Sequence, residues 1–344
     1  MVAHRQSSGV SDYAELKRRV RKARLLEPEP WFYWASVTSN TVVLLLCFVT
    51  FALWHKPWTE ALGAVALGLV TGQLGFQLHD AGHHQMFPRA GANRLVGLVT
   101  ANVLVGVSYA WWVDEHTRHH ANPNHMGRDP DVENVALAYS LEQALARPAP
   151  LRLIAKYQAF LFVPLASLTG LSMQAQGIRY LVCTRCRGRG LEASALVAHA
   201  AAYLGVLVYL LGPAGGLLVI AIHQLVSGLY MASVVAPNHQ GMPQTNAVSE
   251  LDFFRRQVLT ARNVRTHWLT DFWYGSLNLQ IEHHLFPRMT RLNLRRAQPI
   301  VKQYCEELGV PYHETSVTQT YRELFRFLHQ VGAPLRRRAA LATG

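Results

Sequence analysis

The sequence predicts an all-α integral membrane protein with four transmembrane helices, interfacial helices and a helical cap on one side of the bilayer. The first observation behind this fold class is the distribution of the apolar residues. Of the 344 residues, 50% are hydrophobic and only 16% are charged. The apolar residues are concentrated in blocks of about 20, the length of a helix that crosses a bilayer. The second observation is that short clusters of histidine stand beside these blocks.

Four apolar blocks are nearly free of Lys, Arg, Asp and Glu, and we predict membrane spans at about 32–54, 58–78, 193–211 and 214–236. Tryptophan side chains prefer the membrane–water interface. Four of them stand at the ends of the first two blocks: Trp31, Trp34, Trp54 and Trp58. The last two blocks form a hairpin that turns at Gly212-Pro213. A soluble fold is disfavoured because it would have to bury four such segments in one domain.

The blocks divide the chain into three parts. Residues 1–30 are a basic segment whose amphipathic helix, over 11–26, is expected to lie on anionic lipid headgroups or, alternatively, in solvent. Residues 31–315 form the membrane domain. Residues 316–344 form a basic C-terminal helix and a tail that we expect to be disordered from Arg336 onward. No signal peptide is expected, because no small-residue cleavage site follows the first apolar block.

Charge and cysteine content exclude some functions. The formal net charge is +12, but the sequence has no nucleic-acid motif and no Gly-rich phosphate loop. We therefore attribute the charge to membrane orientation or, in addition, to anionic substrates. Cys183 and Cys186 form a lone CxxC pair. We interpret them as reduced thiols, because a zinc site or a disulfide framework would need further cysteines.

Three histidine clusters indicate a metal site. Positions i, i+3 and i+4 share one face of a helix, so a cluster can aim two imidazoles at one point. Adjacent histidines diverge by about 100°, which lets one turn serve two metals. Imidazole is the commonest protein ligand for iron and zinc. We therefore predict a polynuclear metal site at the membrane surface. Its ligands would come from three segments: His79-Asp-Ala-Gly-His83-His84, His116-Thr-Arg-His119-His120 and Gln280-Ile-Glu-His283-His284. His84 is the weaker candidate.

Parity and charge predict the topology. The three clusters can build one site only if an even number of crossings separates them. The stretch 95–113 alone lies between the first two clusters, so it is predicted not to span, and 151–173 is shortened by charges and a proline. Basic segments before residue 30, at 179–189 and from Arg255 onward stay in the cytoplasm by the positive-inside rule. Both termini and all clusters are therefore expected on the cytosolic side.

With these motifs, the chain resembles the membrane fatty acid desaturase family, whose three histidine boxes (HxxxH, HxxHH and HxxHH) surround a di-iron centre. It is most similar to the front-end branch, of linoleoyl-CoA or delta-6 type, in which a glutamine replaces the first histidine of the last box, as Gln280 does here. The similarity covers approximately residues 30–315. It extends to the surroundings of the boxes, such as Leu-Asn-Leu-Gln-Ile-Glu-His-His-Leu-Phe-Pro at 277–287.

The resemblance implies a site and a reaction. Two iron ions would use O₂ and two electrons to form a cis double bond in an acyl-CoA or an acyl-lipid in the bilayer. Gln280 would bind iron directly or through water. The implied ligands, including one between the second and third boxes, are His79, His83, His116, His119, His120, His239, His283 and His284.

The resemblance also bears on the electron supply. Many front-end desaturases carry a fused cytochrome b5 domain with a His-Pro-Gly-Gly motif, which this sequence lacks. We therefore expect a separate ferredoxin or cytochrome b5-type donor with its NAD(P)H reductase. Such donors are typically acidic, so basic residues of the cytosolic face are the candidate contacts: Arg179, Arg185, Arg187, Arg189, Arg262, Arg265, Arg291, Arg295 and Arg296.

Spacing says less about the residues outside the boxes. His125 is expected to cap or hydrogen-bond, and His199 and His223 to form interhelical hydrogen bonds or to line an acyl channel. We expect a structural or surface role for His4, His55, His267, His313 and His329. Carboxylates near the boxes are expected either to orient imidazoles or to be ordinary helix-end and loop residues: Asp80, Asp129, Asp131 and Glu282.

Three alternatives remain open at this point. A membrane hydroxylase or ketolase shares the histidine boxes, and spacing does not separate it from a desaturase, although Gln280 favours desaturation. A zinc or iron transporter would place its ligands near the bilayer midplane, whereas these clusters lie outside the predicted spans. A ligand-binding sensor without turnover leaves the number of histidines unexplained.

Overall fold

The structure, a computed structural model, describes residues 11–133, 136–246 and 251–342. Helices dominate these ranges, with one two-stranded parallel pair, Asn263–Val264 (β1) with Glu314–Thr315 (β2). The first nine helices are α1 (Asp12–Lys22), α2 (Pro30–Leu53), α3 (Pro57–Gly82), α4 (Ala90–Leu98), α5 (Tyr109–Ala121), α6 (Leu141–Ala146), α7 (Ala149–Ala166), α8 (Thr169–Cys183) and α9 (Arg189–His239). They are followed by α10 (Phe253–Leu259), α11 (Trp268–Trp273), α12 (Gln280–Leu285), α13 (Arg291–Glu307) and α14 (Val317–Ala342), while a π-helix (Val99–Val105) continues α4 and a 3₁₀ turn (Pro130–Val132) follows α5.

Three helices of the described ranges are long and apolar enough to cross a membrane, namely α2, α3 and α9. α9 is not straight. Gly212 has φ 69° and ψ 171°, a backbone conformation that glycine adopts without steric penalty. The chain then doubles back, since a Cβ on Gly216 would lie 3.2 Å from the backbone of Leu207, and the Tyr203 hydroxyl contacts His223 Nδ1. α9 is therefore two antiparallel helices that turn at the predicted position.

The outer surface of these helices is apolar, as expected for a membrane protein. Leu45, Leu46 and Leu53 of α2 are exposed, and so are the four tryptophans predicted as interfacial anchors. Soluble proteins rarely expose contiguous apolar surface of this extent. α3 is more enclosed than α2, because it packs against both α2 and α9.

The two stretches predicted not to span are bent. The helical stretch Ala90–Val105 meets α5 at 112°, and α7 meets α8 at 85°. Gly106 follows the first stretch with φ 78°, so the chain turns there before Ser108 caps α5 with its side-chain oxygen on Trp111 N. The first bend brings α5 back beside the end of α3, where the first histidine cluster lies.

The N-terminal helix corrects one prediction. α1 is amphipathic, but its apolar face is buried in protein rather than placed on lipid. Leu16 and Val20 are fully buried in a core shared with Phe254 of α10 and Val301 of α13. The Tyr13 hydroxyl donates to the Leu285 carbonyl at 2.9 Å. Sequence periodicity identifies an apolar face, but it does not tell a protein partner from a lipid partner.

The C-terminal helix corrects another prediction. α14 continues to Ala342, so the residues from 336 to 342 are helical, not disordered. Leu324 and Leu328 are fully buried against Phe162 of α7 and Ala232 of α9. α14 is therefore packed against the rest of the described chain. Its basic end was predicted to be disordered because a run of charged residues is typical of an unpacked tail. Residues 343 and 344 of the predicted tail lie outside the described residues.

Candidate metal centre

Four elements bring the predicted histidines together. α3 ends at Gly82 and supplies the first box, α5 supplies the second, the last residue of α9 is His239, and the short α12 supplies the third. In each of two groups, one ring nitrogen per residue lies within 4.8 Å of the others. Group 1 consists of His79, His83, His116 and His283, and group 2 consists of His119, His239 and His284.

The ring nitrogens converge closely within and between the groups. His79 Nε2 and His283 Nε2 are 3.1 Å apart, and the Nε2 atoms of His239 and His284 are also 3.1 Å apart. His120 lies between the groups, with its Nε2 3.1 Å from the Nε2 of His283 and its ring stacked on His284 at 4.2 Å between centroids. Adjacent histidines of α12 thus enter different groups, as predicted from their divergence on a helix.

The rings of group 2 are oriented by hydrogen bonds on their outer sides. Each Nδ1 has an acceptor: 3.0 Å from His119 to Asp129 Oδ1, 3.0 Å from His239 to the Thr260 carbonyl oxygen, and 2.9 Å from His284 to Gln257 Oε1. Nδ1 therefore carries the proton in each ring. In the neutral form of each ring, the lone pair of Nε2 faces the interior of the group, which is the arrangement of a metal-binding imidazole.

The rings of group 1 have fewer such partners. His79 Nδ1 lies 3.1 Å from Asp80 Oδ1, and the other oxygen of Asp80 pairs with Arg291. Among the described residues, His83 Nε2 and His283 Nδ1 are buried without a hydrogen-bond partner. A buried unpaired nitrogen is costly, and a cation bound among these rings would give His83 Nε2 its partner. The residues of group 1 therefore fit a metal ion.

Electrostatics keep most of these rings neutral. Burial, together with the neighbouring imidazoles, lowers the pKa of His116, His120, His283 and His284 well below the ordinary value, so these rings are in the form that binds metals. His119 is the exception. Burial acts to lower its pKa too, but the carboxylates of Asp129 and Asp131 outweigh burial and raise the pKa to about 9. Such carboxylates raise the basicity of a ligating ring.

Not every predicted residue joins the groups. His84 is exposed, with φ 57° after the end of α3, and lies outside both groups. Gln280 is buried beside group 2, with its Nε2 3.0 Å from His239 Nε2 and its Oε1 accepting from Asn238. Of the two alternatives predicted for Glu282, orientation of an imidazole is the one that the structure contradicts. Its carboxylate accepts from Asn263 Nδ2 at 2.6 Å and from Tyr312 Oη at 2.7 Å.

Two arginines predicted as exposed donor contacts are buried instead. Arg262 pairs with Glu323 and donates to the Gln240 carbonyl, and Arg291 pairs with Asp80. Burial excludes both from contact with a separate protein. No local pattern indicates these ion pairs, because the partners are distant along the chain.

The other histidines mostly have the expected roles. His125 Nδ1 bonds to the Met126 carbonyl oxygen at 2.7 Å, and His199 Nδ1 bonds across helices to the Val103 carbonyl oxygen at 2.7 Å. His223 Nε2 lies 2.9 Å from Thr71 Oγ1. His55, His267 and His329 are exposed, whereas His313 is partly buried and contacts Glu323. His4 lies outside the described residues.

Sequence reasoning missed three residues of the site. Gln257 and Thr260 orient rings of group 2, and Trp112 stacks on His116 at 4.6 Å between centroids. A single polar residue has no periodic signal, so nothing in the sequence identified Gln257 or Thr260. Trp112 precedes His116 by four residues on α5, and this spacing is the signal that could have identified it.

A groove adjoins the metal centre. It lies between α3, α5, α8 and α9, and Trp112 forms one end of its wall, 5.7 Å from the His79 ring. Apolar side chains and backbone line much of it, among them Leu78, Val107 and Met231. Polar groups, including His223, stand farther along α9. Its volume is about 40 Å³, so it is a narrow pocket beside group 1 rather than an open channel.

A cluster of imidazoles that fits metal ions, at the end of apolar helices and beside a groove between them, defines a membrane metalloenzyme. A family model described as fatty acid desaturase matches residues 56–316. The chain therefore belongs to the fatty acid desaturase family, a family of oxidoreductases of lipid metabolism that use iron.

The most similar proteins include desaturases from three organisms. Identity is 28% over 333 residues to the acyl-lipid (9-3)-desaturase of Physcomitrium patens, covering 94% of this chain and 63% of that protein. It is 29% over 338 residues to the delta(8)-fatty-acid desaturase of Euglena gracilis, covering 92% and 78%. It is 27% over 355 residues to the delta(5) fatty acid desaturase fat-4 of Caenorhabditis elegans, covering 98% and 78%. These names support an acyl desaturase function.

Proposed function

We propose that this protein introduces a cis double bond into a fatty acyl chain, as an acyl-CoA or an acyl-lipid, with O₂ and two electrons at a centre of two iron ions. The observation that carries this proposal is the division of the histidines into two groups, with His120 in contact with both. Seven converging imidazoles exceed the ligands that one ion accepts from a protein. Two groups beside a membrane groove favour a two-metal site over an isolated structural ion.

The proposal assigns the ligands to the two ions. Group 1 would hold one iron and group 2 the other, with His120 completing a shell from its place between them. Gln280 stands where group 2 has room for a further neutral ligand, bound directly or through water. Bound iron would supply the oxygen activation and hydrogen abstraction that no amino-acid side chain performs.

The chain's own side chains would position the substrate. The groove would have to widen to admit the acyl chain, and it would then place one pair of methylenes next to Trp112, beside group 1. Asp129, Gln257 and the Thr260 carbonyl hold the rings of group 2 in one orientation, so the ligands would not have to reorganise during the reaction. An acyl chain bound there would exclude water from the reactive centre, and fixed geometry would select which methylenes react.

We also propose four crossings, formed by α2, α3 and the two arms of α9, with both termini and the metal centre on the cytosolic side. The support is the break at Gly212 and the positive charge of the segments that would face the cytosol. The native Cys183 is exposed in the basic 179–189 segment. A membrane-impermeant thiol reagent should label it in inside-out vesicles but not in intact cells, and labelling of intact cells would refute this orientation.

The reaction is tested in a host of known lipid composition. Expression of the chain should produce new cis double bonds, mapped by mass spectrometry of derivatised lipids. The His283→Ala variant, expressed to the same level, is the matched control and should give the lipid profile of the empty host. A hydroxylated or keto product in place of a double bond would show that the protein is a hydroxylase or ketolase.

Electron supply is proposed to come from a separate ferredoxin or cytochrome b5-type protein. The exposed arginines of the predicted contact set favour an acidic partner: Arg179, Arg185, Arg187, Arg189, Arg265, Arg295 and Arg296. Opposite charge on two surfaces raises their association rate at low salt. Turnover should need a donor and its reductase in addition to NADPH, and donor-limited rates should fall as salt rises. Desaturation by the purified chain with NADPH alone would contradict this.

A further inference from the structure

The short helix α11 has the wrong polarity for a helix on a water-facing surface. Trp268, Phe272 and Leu269 are 71%, 60% and 51% exposed. Its polar side faces inward, where Asp271 accepts from Asn278 Nδ2 at 2.8 Å and pairs with Arg295. A surface helix of a soluble protein shows the reverse pattern, with the apolar face on the core. The exposed apolar face of α11 is therefore unsuited to contact with water.

α11 packs against the membrane helices below the metal centre. Trp273 Nε1 donates to Ser233 Oγ at 3.0 Å, and its ring lies 4.4 Å from that of Tyr230, both on α9. Gln73 of α3 reaches the Phe272 carbonyl. Gln73 and Ser233 each precede a histidine of the site by six residues, about 9 Å along a helix. α11 therefore contacts α3 and α9 on the side of the site that leads into their apolar segments.

Exposed leucines lie on the helix faces that α11 contacts, one or two turns from Gln73 and Ser233. Leu225 and Leu229 are exposed on the same arm of α9, and Leu69 is exposed on α3. Tryptophan, phenylalanine and leucine on one face are the residues with which interfacial helices enter the boundary between headgroups and acyl chains. We propose that α11 is an interfacial anchor that inserts its Trp268, Leu269 and Phe272 face into the bilayer. It would fix the cap, which is the part of the protein formed by α1, α10, α12 and α13 around their shared core, on the membrane surface.

This inference rests on the proposed crossing of the membrane by α3 and α9, but not on the reaction. It has a consequence for the metal centre. Because α12, with its two histidines, follows α11 after six residues, insertion of α11 would set the height of the third histidine box above the bilayer. The cap would then be held on lipid at α11 as well as through the ends of α3 and α9.

The test measures the surroundings of nitroxide spin labels in the full chain, reconstituted in bilayers of phosphatidylcholine and phosphatidylglycerol. The background is Cys183→Ser with Cys186→Ser, because Cys47 and Cys305 are buried. Labels are placed at Leu269→Cys and Phe272→Cys. Leu229→Cys on α9 serves as the lipid reference and Gln303→Cys, exposed on α13, as the water reference. Equal iron content in all labelled variants shows that the fold is retained.

Power saturation then compares collisions with O₂, which concentrates in lipid, and with a water-soluble nickel chelate. The labels at 269 and 272 should favour O₂ as the label at 229 does, while the label at 303 favours the chelate. Preference for the chelate at 269 and 272, with 229 in lipid, would overturn the anchor and leave the crossings intact. Protection from both reagents would show that protein covers the face, which also overturns it. Preference for the chelate at 229 would instead refute the crossings, and the inference with them.

Discussion

The two histidine groups are built from the same side chain but are supported differently. In group 2 every ring has an acceptor for its Nδ1 proton, from a carboxylate, a backbone carbonyl or an amide. In group 1, among the described residues, His79 is held by Asp80 while His83 and His283 each have a buried nitrogen without a partner. Group 2 is therefore oriented by the protein itself, whereas the orientation of the group 1 rings would depend more on a bound ion.

The largest effect is expected from removing one ligand of either group. His83→Ala in group 1 and His239→Ala in group 2 should each abolish turnover and lower bound iron from two ions per chain to one, because each ring is one of few ligands to its ion. Metal analysis and lipid profiling measure the two effects. The exposed residues His55 and His329 provide controls, and their alanine variants should be fully active. Near-normal activity of His239→Ala would show that His239 is not an iron ligand.

Timed exposure to a chelator should separate the two ions. The ion of group 1 should leave first, because its rings lose orientation once the ion is gone, while those of group 2 stay oriented by their hydrogen bonds. Iron is counted at intervals in wild type and in His83→Ala, which would hold only the ion of group 2. Simultaneous loss of both ions, or slower loss from group 1, would show that the difference in hydrogen bonding has no consequence for metal retention.

A smaller effect is expected from Asp129→Asn, which keeps the shape of the acceptor but removes its charge. The affinity of group 2 for iron should fall by about 10–100-fold, the usual cost of losing an outer partner of a ligating histidine. Group 1 should keep its ion. The matched variant Asp80→Asn should act on group 1 and also lower the melting temperature, because it leaves the buried Arg291 unpaired. Equal weakening of both groups by either variant would mean that they are not separate.

The smallest effect is expected from Glu282→Gln, although this residue is adjacent to His283. Its carboxylate contacts Asn263 and Tyr312 and no imidazole, so iron content should be unchanged. The free energy of unfolding should fall by about 1 kcal/mol, the net value of one weakened hydrogen bond, as measured by thermal denaturation. Loss of iron in this variant would favour the alternative that Glu282 orients an imidazole.

The comparison also shows what the sequence could predict. The histidines that recur on one helix face have a periodic signal, and the structure brings their ring nitrogens together. His239 has no such signal and was identified only through the family resemblance. The break at Gly212 was predicted, because a Gly-Pro pair in the middle of a long apolar block indicates a turn between two helices. The box histidines and the break at Gly212 were therefore predictable from local sequence, whereas His239 was not.

What the sequence could not predict depends on contacts between distant segments. Arg262 and Arg291 were predicted to be exposed, yet each is buried against a carboxylate from another element. Gln257 and Thr260 orient group 2 from α10 and its end. The apolar faces of α1 and α11 have the same kind of pattern, yet one packs on protein and the other is exposed. A hydrophobic pattern identifies a face and leaves its partner undetermined.

The placement of α1 has a consequence for enzyme engineering. Its Tyr13 hydroxyl bonds to the carbonyl of Leu285, the residue next to His284, so α1 is attached to the cap directly behind the third histidine box. A redox protein joined ahead of α1 through a short flexible linker would be confined near the site at an effective concentration on the order of millimolar. Such a tether would make electron delivery independent of donor concentration and far less sensitive to salt than delivery by a diffusing partner.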